Sequence, residues 1–297
     1  MKVRVGVGLG AISLPDHQGF ARLVDDLDEL GFDSLWLPEI LTAQTVDPLT
    51  ALAFAAAHNP RLKLGTTLLL PGRNPVRTAK ELATLDVLSG GRLLITFVPG
   101  IPRRPESAAL GVPAAERGRQ MDEALPLLRR LWSGELVSHH GEVGDFDDVC
   151  VSPTPQQQHP LEFWTGGMGM AALRRCGTFA DGWLPAACTP DEAAEAKEMV
   201  EGFADEAGRV ISSEHFGVSI GYSHRPLTAK VSQALGAGRR GVDPTAVVPV
   251  GIDALRDLLE RFVSVGFSKF VVRPIDTPHS WRAELELLAG GVIDLQT

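Results

Sequence analysis

The chain has no apolar run long enough to cross a bilayer. Stretches such as LKLGTTLLLP stop far short of the roughly 20 residues that a spanning helix needs. The start, MKVRVGVGLG, lacks the charged opening, long apolar stretch and small-residue cut site of a secretory leader, so the expected compartment is the cytoplasm. The three cysteines, Cys150, Cys176 and Cys188, form no Cys-x-x-Cys and suggest neither a disulfide framework nor a structural zinc site. They are expected as reduced thiols buried like small apolar groups. The eight histidines give no His-Glu-x-x-His, and His139 and His140, being adjacent, point apart on a helix or a strand. No metal is expected. A surplus of positive charge is also missing: the net charge is −9, and the paired basics Arg103-Arg104, Arg129-Arg130, Arg174-Arg175 and Arg239-Arg240 are scattered. A nucleic-acid partner, which needs clustered Lys and Arg against phosphates, is not expected. No Gly-x-x-x-x-Gly-Lys-Ser/Thr phosphate loop occurs.

What is present is the balance of an ordinary folded protein, 297 residues with 44 % hydrophobic and 22 % charged. Apolar strand-like runs alternate with segments of helical period. VRVGVGL (3–9) precedes an amphipathic stretch over 18–30 that stops at Gly31. SLWLP (34–38) precedes a helix that Asp47 caps and Pro48 opens, and LKLGTTLLL (62–70) precedes one opened by Asn74 and Pro75. GRLLITFV (91–98) is followed by a helix over 115–132, in which Pro126 predicts a kink or break. LEFWTG (161–166), GWLPA (182–186), HFGVSIGY (215–222) and SKFVVRP (268–274) complete the strands. After the third-last of these, Thr189, Pro190 and Glu192 combine a cap, a first-turn proline and a capping-box acid. Later helices are expected over 252–265 and from Ser280 to about Leu288.

Eight strands each followed by a helix predict a (β/α)8 TIM barrel with insertions after strands 4 and 7. Continuously apolar strands fit parallel pairing with both faces covered. An open doubly wound sheet predicts the same alternation, and only the count of eight and the missing domain linker favour the barrel. The stretch 134–158 reads as a hairpin with a Gln- and Pro-rich turn, and 223–250 as a second insertion; lids, interface segments and solvent-exposed padding are all open for both.

Barrel chemistry sits at the C-terminal strand ends, which singles out Glu39 after the second strand. By itself a glutamate there reads first as a solvated loop residue or a cap. The strings ELGFDSLWLPE, AKELATLDVLSGGR, ALGVPAAERGRQMDEALPLLRRLWSGE and GTFADGWLP closely resemble the bacterial luciferase-like superfamily, in particular its F420-dependent oxidoreductases. The resemblance runs from residue 1 to about 190 and returns weakly in VPVGIDALRDLLERFVSVGFSKFVVRP. It implies one barrel domain over 1–297, F420 or FMN in the mouth, commonly a homodimer, and hydride or oxygen chemistry on a small organic substrate.

Carried to this chain, the resemblance implies cofactor contacts at several strand ends. Thr66, Thr67 and Leu68 match the place where relatives often hold a non-proline cis peptide against the ring. Thr165, Gly166, Gly167 and Met168 match the turn that holds the cofactor's phosphate, where two glycines let backbone N–H groups approach at a helix start. Gly100 is kept after the fourth strand, while Thr96 and Val98 stand where glycines are usual, which predicts a bulkier pocket floor. Trp183 is placed at the sixth strand as a pocket or a core residue. Ile40 occupies the position where many relatives carry a histidine, which leaves Glu39 as the carboxylate for proton transfer or for orienting the cofactor. Arg103 and Arg104 are expected as a cationic wall for an anionic substrate or cofactor tail.

F420 is the expected cofactor, with FMN as the alternative, and a barrel that binds its cofactor without turnover is a third reading. Two motifs point elsewhere and fail on context. GVGLGA (6–11) fits the loose dinucleotide fingerprint, but Ile12-Ser13-Leu14-Pro15 stands where a helix should begin. GVSIG (217–221) fits a nucleophile elbow, but YSHRPL follows Ser219 in place of the tight helix that the elbow demands.

Overall fold

The computed structural model describes residues 1–13, 16–101, 105–157, 161–236 and 243–297. In chain order the elements are β1 (Arg4–Gly8), α1 (His17–Glu29), β2 (Ser34–Pro38), α2 (Pro48–His58), β3 (Lys63–Leu69), α3 (Pro75–Ser89) and β4 (Leu93–Val98). Then come α4 (Glu106–Ala109), α5 (Ala114–Leu131), β5 (Val137–His140), β6 (Asp145–Val149), β7 (Trp164–Thr165), α6 (Met170–Phe179), β8 (Gly182–Trp183) and α7 (Pro190–Glu206). The chain finishes with β9 (Gly217–Tyr222), α8 (Ala229–Gly236), α9 (Ile252–Ser264), β10 (Lys269–Pro274) and α10 (Trp281–Val292).

Local sequence explains where the helices begin. Asp47 accepts from the Thr50 backbone N–H at 2.8 Å and Asn74 from Arg77 at 3.0 Å, each with a proline in the first helical turn. Thr189 and Glu192 close a reciprocal capping box, and Ser280 caps α10. Each such cap contributes about 1 kcal/mol. Gly31, just past α1, takes a φ of +83°, a conformation that a side chain would oppose. The break predicted at Pro126 does not occur, because α5 continues through it while Ala124, Leu125, Leu127 and Leu128 around it are buried. Packing on both sides outweighs the one backbone hydrogen bond that proline removes.

The parallel strands pair in the order β8-β7-β4-β3-β2-β1-β10-β9. Parallel bridges from Trp183 to Phe216 and from Ala186 to Ser219 join the two ends, so the eight strands form a nearly closed barrel with helices between them. The β5–β6 hairpin is antiparallel and stands outside the barrel, in the insertion after β4. The second insertion, after β9, carries α8.

Alternation along the strands divides the apolar residues into two cores. Val5, Val7, Leu35, Leu37, Leu64, Leu68, Ile95 and Phe97 join the helices in the outer core. Trp36, Leu184 and Val271 form a separate inner cluster, with Leu94 and Trp164 against it. Trp36 fits because Gly65 lacks a side chain: a Cβ there would lie 2.2 Å from the indole Cδ2. The indole N–H donates to Ser34 Oγ at 2.9 Å. This inner cluster is a floor across the barrel. On its C-terminal side the inward positions are smaller, with Gly8, Thr67, Thr96, Gly166, Ser219 and Gly221 around the mouth.

Candidate active site

Glu39 leaves the end of β2 with both carboxylate oxygens engaged. Oε1 accepts from Arg73 Nη2 at 2.6 Å, and Oε2 accepts from the Leu69 backbone N–H at 2.8 Å. Arg73 also donates through Nε to the Leu69 carbonyl at 3.0 Å. Glu39 and Arg73 therefore clamp the end of β3 and the loop that follows it. The pair is largely shielded, with 11 % and 20 % of the two side chains exposed, so its charge-assisted bonds are little screened. This geometry holds a strand end and engages each carboxylate oxygen once.

The residues expected against a cofactor ring divide by the parity of the strand. Thr66 is fully buried and its Oγ1 donates to the Leu37 carbonyl at 3.0 Å, and Leu68 is buried in the outer core. Thr67 alone of the three turns inward. The expected non-proline cis peptide is absent here: among the described residues the cis bond is Ser152–Pro153. The ladder instead continues in register through Thr67↔Thr96 and Leu68↔Phe97. Trp183 is fully buried with its ring 6.0 Å from that of Phe267, behind the barrel wall. Its link to the mouth is the indole N–H donated to the Gly167 carbonyl at 3.0 Å.

The turn after β7 is built for close backbone approach. A Cβ on Gly166 would lie 3.0 Å from the Leu184 carbonyl and 3.1 Å from Val98 Cγ1. Gly167 has a φ of +106°, and a Cβ there would come within 2.9 Å of Ala172 Cβ. The helix that follows, α6, starts at Gly169 with no side-chain cap, and Gly167, Gly169 and Met170 are exposed. The first N–H groups of a ten-residue helix thus face solvent beside the mouth, where the helix dipole favours an anion. Thr165 and Met168 contribute less: Thr165 is buried and turns away from the mouth, and Met168 packs on the outer core. Cys176 of α6 is no nucleophile, since burial pushes its thiol up to about 12.

Gly100, at φ +77°, lets the chain turn over Leu69 after β4, where a Cβ would meet Leu69 Cδ2 at 2.9 Å. Buried Arg117 braces the segment beyond it through the Val112 carbonyl at 3.0 Å and Ser107 Oγ at 2.7 Å. Arg103 and Arg104 lie outside the described residues.

Arg273, near the end of β10, is a mouth residue that sequence reasoning passed over. Its side chain runs along the inner wall between β1 and β9. Its atoms lie within 3.4–3.8 Å of where Cβ atoms would stand on Gly8, Gly10 and Gly221. The available signal was an arginine inside an apolar strand, facing strands that carry glycine at the matching positions. Thr96 Oγ1, also buried at the mouth, has no hydrogen-bond partner among the described residues.

The opposite pole of the barrel is different. A cavity of about 200 Å³ lies there beneath Trp36 and Trp164. Its charged rim is internally matched: Asp33 sits 2.9 Å from Lys63 and 3.5 Å from Arg4, and Lys269 sits 3.0 Å from Glu214.

Residues 2–246 match the family described as luciferase-like monooxygenases, and the chain belongs to that family. It is 31 % identical over 193 residues to a phthiodiolone/phenolphthiodiolone dimycocerosates ketoreductase of Mycobacterium tuberculosis, a match covering 63 % of this chain and 50 % of the relative. The chain thus spans about half the length of that curated relative. Among solved structures, an F420-dependent secondary alcohol dehydrogenase in complex with an F420-acetone adduct overlays with a TM-score of 0.80 at 18 % identity, over 100 % of both chains. The oxygenating constituent of 3,6-diketocamphane monooxygenase from Pseudomonas putida, in complex with FMN, overlays at 0.76 with 17 % identity, over 100 % of this chain and 99 % of that one. At these identities the two structures share its fold.

Proposed function

We propose that the chain is an F420-dependent oxidoreductase that moves a hydride between the deazaflavin and a small organic substrate in the barrel mouth. The observation that carries the reading is the turn Gly166-Gly167 before the uncapped start of α6, which presents free backbone N–H groups to an anion in a luciferase-like barrel. F420 is preferred because the sequence resembles that branch most closely.

When bound, the deazaflavin supplies a two-electron hydride carrier. The chain's own residues do the rest. The backbone N–H groups of Met170 and Ala171 would hold the phosphate of the tail. Thr67 and Ser219 offer hydroxyls along the inner wall. The floor of Trp36, Trp164 and Leu184 keeps water from entering through the barrel. Glu39, with Arg73, is a positioning residue that fixes the end of β3 and would hold that strand end in place toward a bound cofactor. The working assembly is taken as a homodimer, which light scattering of the purified protein will test.

Parallel fluorescence titrations of the apo-protein with F420 and with FMN test the reading. Binding of F420 alone supports it. Preference for FMN moves the function to a flavin monooxygenase, the chemistry named for the camphane enzyme. Tight F420 binding with no substrate-dependent absorbance change across a panel of alcohols, ketones and enones reduces it to a cofactor-binding barrel.

A further inference from the structure

Charges inside proteins are matched, because an unpaired desolvated charge costs several kcal/mol and neutralises or finds a partner. The described residues follow this rule at the strand ends. Glu39 is held by Arg73, Asp276 lies 3.3 Å from Arg225 and 3.2 Å from Ser223 Oγ, and Glu284 accepts from Tyr222 Oη at 2.6 Å and lies 2.8 Å from His224 Nε2. The same holds at the opposite pole, where Asp33, Lys63, Lys269 and Glu214 match one another.

Arg273 breaks the rule. It is half-buried, and among the described residues its guanidinium has neither a hydrogen-bond acceptor nor a carboxylate partner. Burial pushes its pKa down with nothing to offset it. Glycine backbone lies on both sides of it: Cβ positions built on Gly10 and Gly221 would stand 3.6 and 3.4 Å from Arg273 Nη1, ordinary contact that puts the guanidinium against the chain after β1 and against β9. Arg273 is the inward position of β10 that follows Val271, so its side chain stands on the mouth side of the Trp36 and Val271 floor. Ser219, inward on the neighbouring strand and paired in register with Val271, adds a hydroxyl on the same wall.

The geometry points to Arg273 as the recognition group for an oxyanion, a carboxylate or a phosphate, on the ligand that fills the barrel mouth. A planar five-donor guanidinium suits two-oxygen acceptors better than a point charge does. The inference rests on the proposed function in taking the mouth as the ligand site, and it adds a substrate class: a small organic acid or phosphate ester, unless the cofactor itself brings the oxyanion.

Wild type and Arg273→Met are titrated with F420, with FMN, and with benzoate, phenyl phosphate and neutral benzamide, the last three with and without saturating cofactor. Where the substrate supplies the oxyanion, benzoate or phenyl phosphate binds the loaded wild type, Arg273→Met weakens it about tenfold, and cofactor affinity is unchanged. Where the cofactor supplies it, the variant weakens cofactor binding by a similar factor, and the anions compete with cofactor. Either result upholds the assignment. Equal affinity of wild type for benzoate and benzamide, together with unchanged cofactor binding in the variant, overturns it. Should Arg273→Met fail to fold, Arg273→Lys keeps the charge without the fork, and a preference for benzoate over benzamide as strong as that of wild type overturns the role of the fork. If neither cofactor binds wild type while the anions bind and are lost in the variant, the proposed function fails and this inference stands.

Discussion

Glu39 and Arg73 meet at 2.6 Å although 34 residues separate them, and together they bind both backbone groups of Leu69. Pro38 ends β2 just before this contact, so the short strand delivers one carboxylate to the arginine of the next strand's loop.

Glu39→Gln and Arg73→Met are each expected to destabilise the protein by about 1–3 kcal/mol, since each removes one side of a shielded, charge-assisted bond. Urea denaturation of the double variant should show less than the sum, because the two residues act as one unit. Turnover should fall without a change in the shape of its pH profile. Loss of one limb of that profile in Glu39→Gln would give the carboxylate the proton-transfer role that its two contacts argue against.

Gly167→Ala places a Cβ at φ +106° and 2.9 Å from Ala172. A backbone conformation of this kind costs about 1–3 kcal/mol in any residue but glycine. The turn should rearrange, and affinity for FMN or F420 should drop while riboflavin, which lacks the phosphate, is bound as before. Parallel fluorescence titrations with FMN and riboflavin decide it, and equal losses for both would remove the phosphate role from this turn.

Thr96 is 1 % exposed and its hydroxyl has no partner among the described residues. Replacing a buried unsatisfied hydroxyl with a methyl group of the same shape is neutral to stabilising, so Thr96→Val should raise the stability of the ligand-free protein by up to about 1 kcal/mol. Calorimetry of the apo-protein checks this. A lower melting temperature would show that the hydroxyl is engaged.

Glu214 joins the first residues of the chain to β10, accepting from the Lys2 backbone N–H at 2.8 Å and from Lys269 Nζ at 3.0 Å. The hydrogen bond from Lys269, then that from Lys2, lower its carboxyl from 4.5 to about 2. A depressed folded-state value contributes stability that is fully present above the unfolded value and is lost as pH falls through the folded one. The stability difference between wild type and Glu214→Gln should therefore hold at neutral pH and shrink from about pH 4.5 towards 2. A difference that stays constant across that window in acid-titrated denaturant melts would mean that the carboxylate's charge contributes nothing at this joint.

Much of the barrel was legible in the residues themselves. The helix starts at Asp47, Asn74, Thr189 and Ser280 are decided within four residues, because a capping side chain reaches only its own first turn. The need for glycine at Gly167 is equally local, since its φ of +106° disfavours any side chain whatever surrounds it. Even the eight strands follow from length and apolar character.

What lay beyond the sequence is everything decided across strands. Continuous apolar strands conceal which residues face inward, so nothing local separated Thr67 from Thr66 and Leu68, or placed Trp183 behind the wall. Pro126 looked like a break because the packing that keeps α5 whole comes from distant elements. Glu39 found Arg73, and Arg273 was left without a partner among the described residues, only when the sheet set β2 beside β3 and β10 beside β1 and β9. A side chain's partners across a barrel depend on register and parity, which are properties of the closed sheet and not of any single stretch of chain.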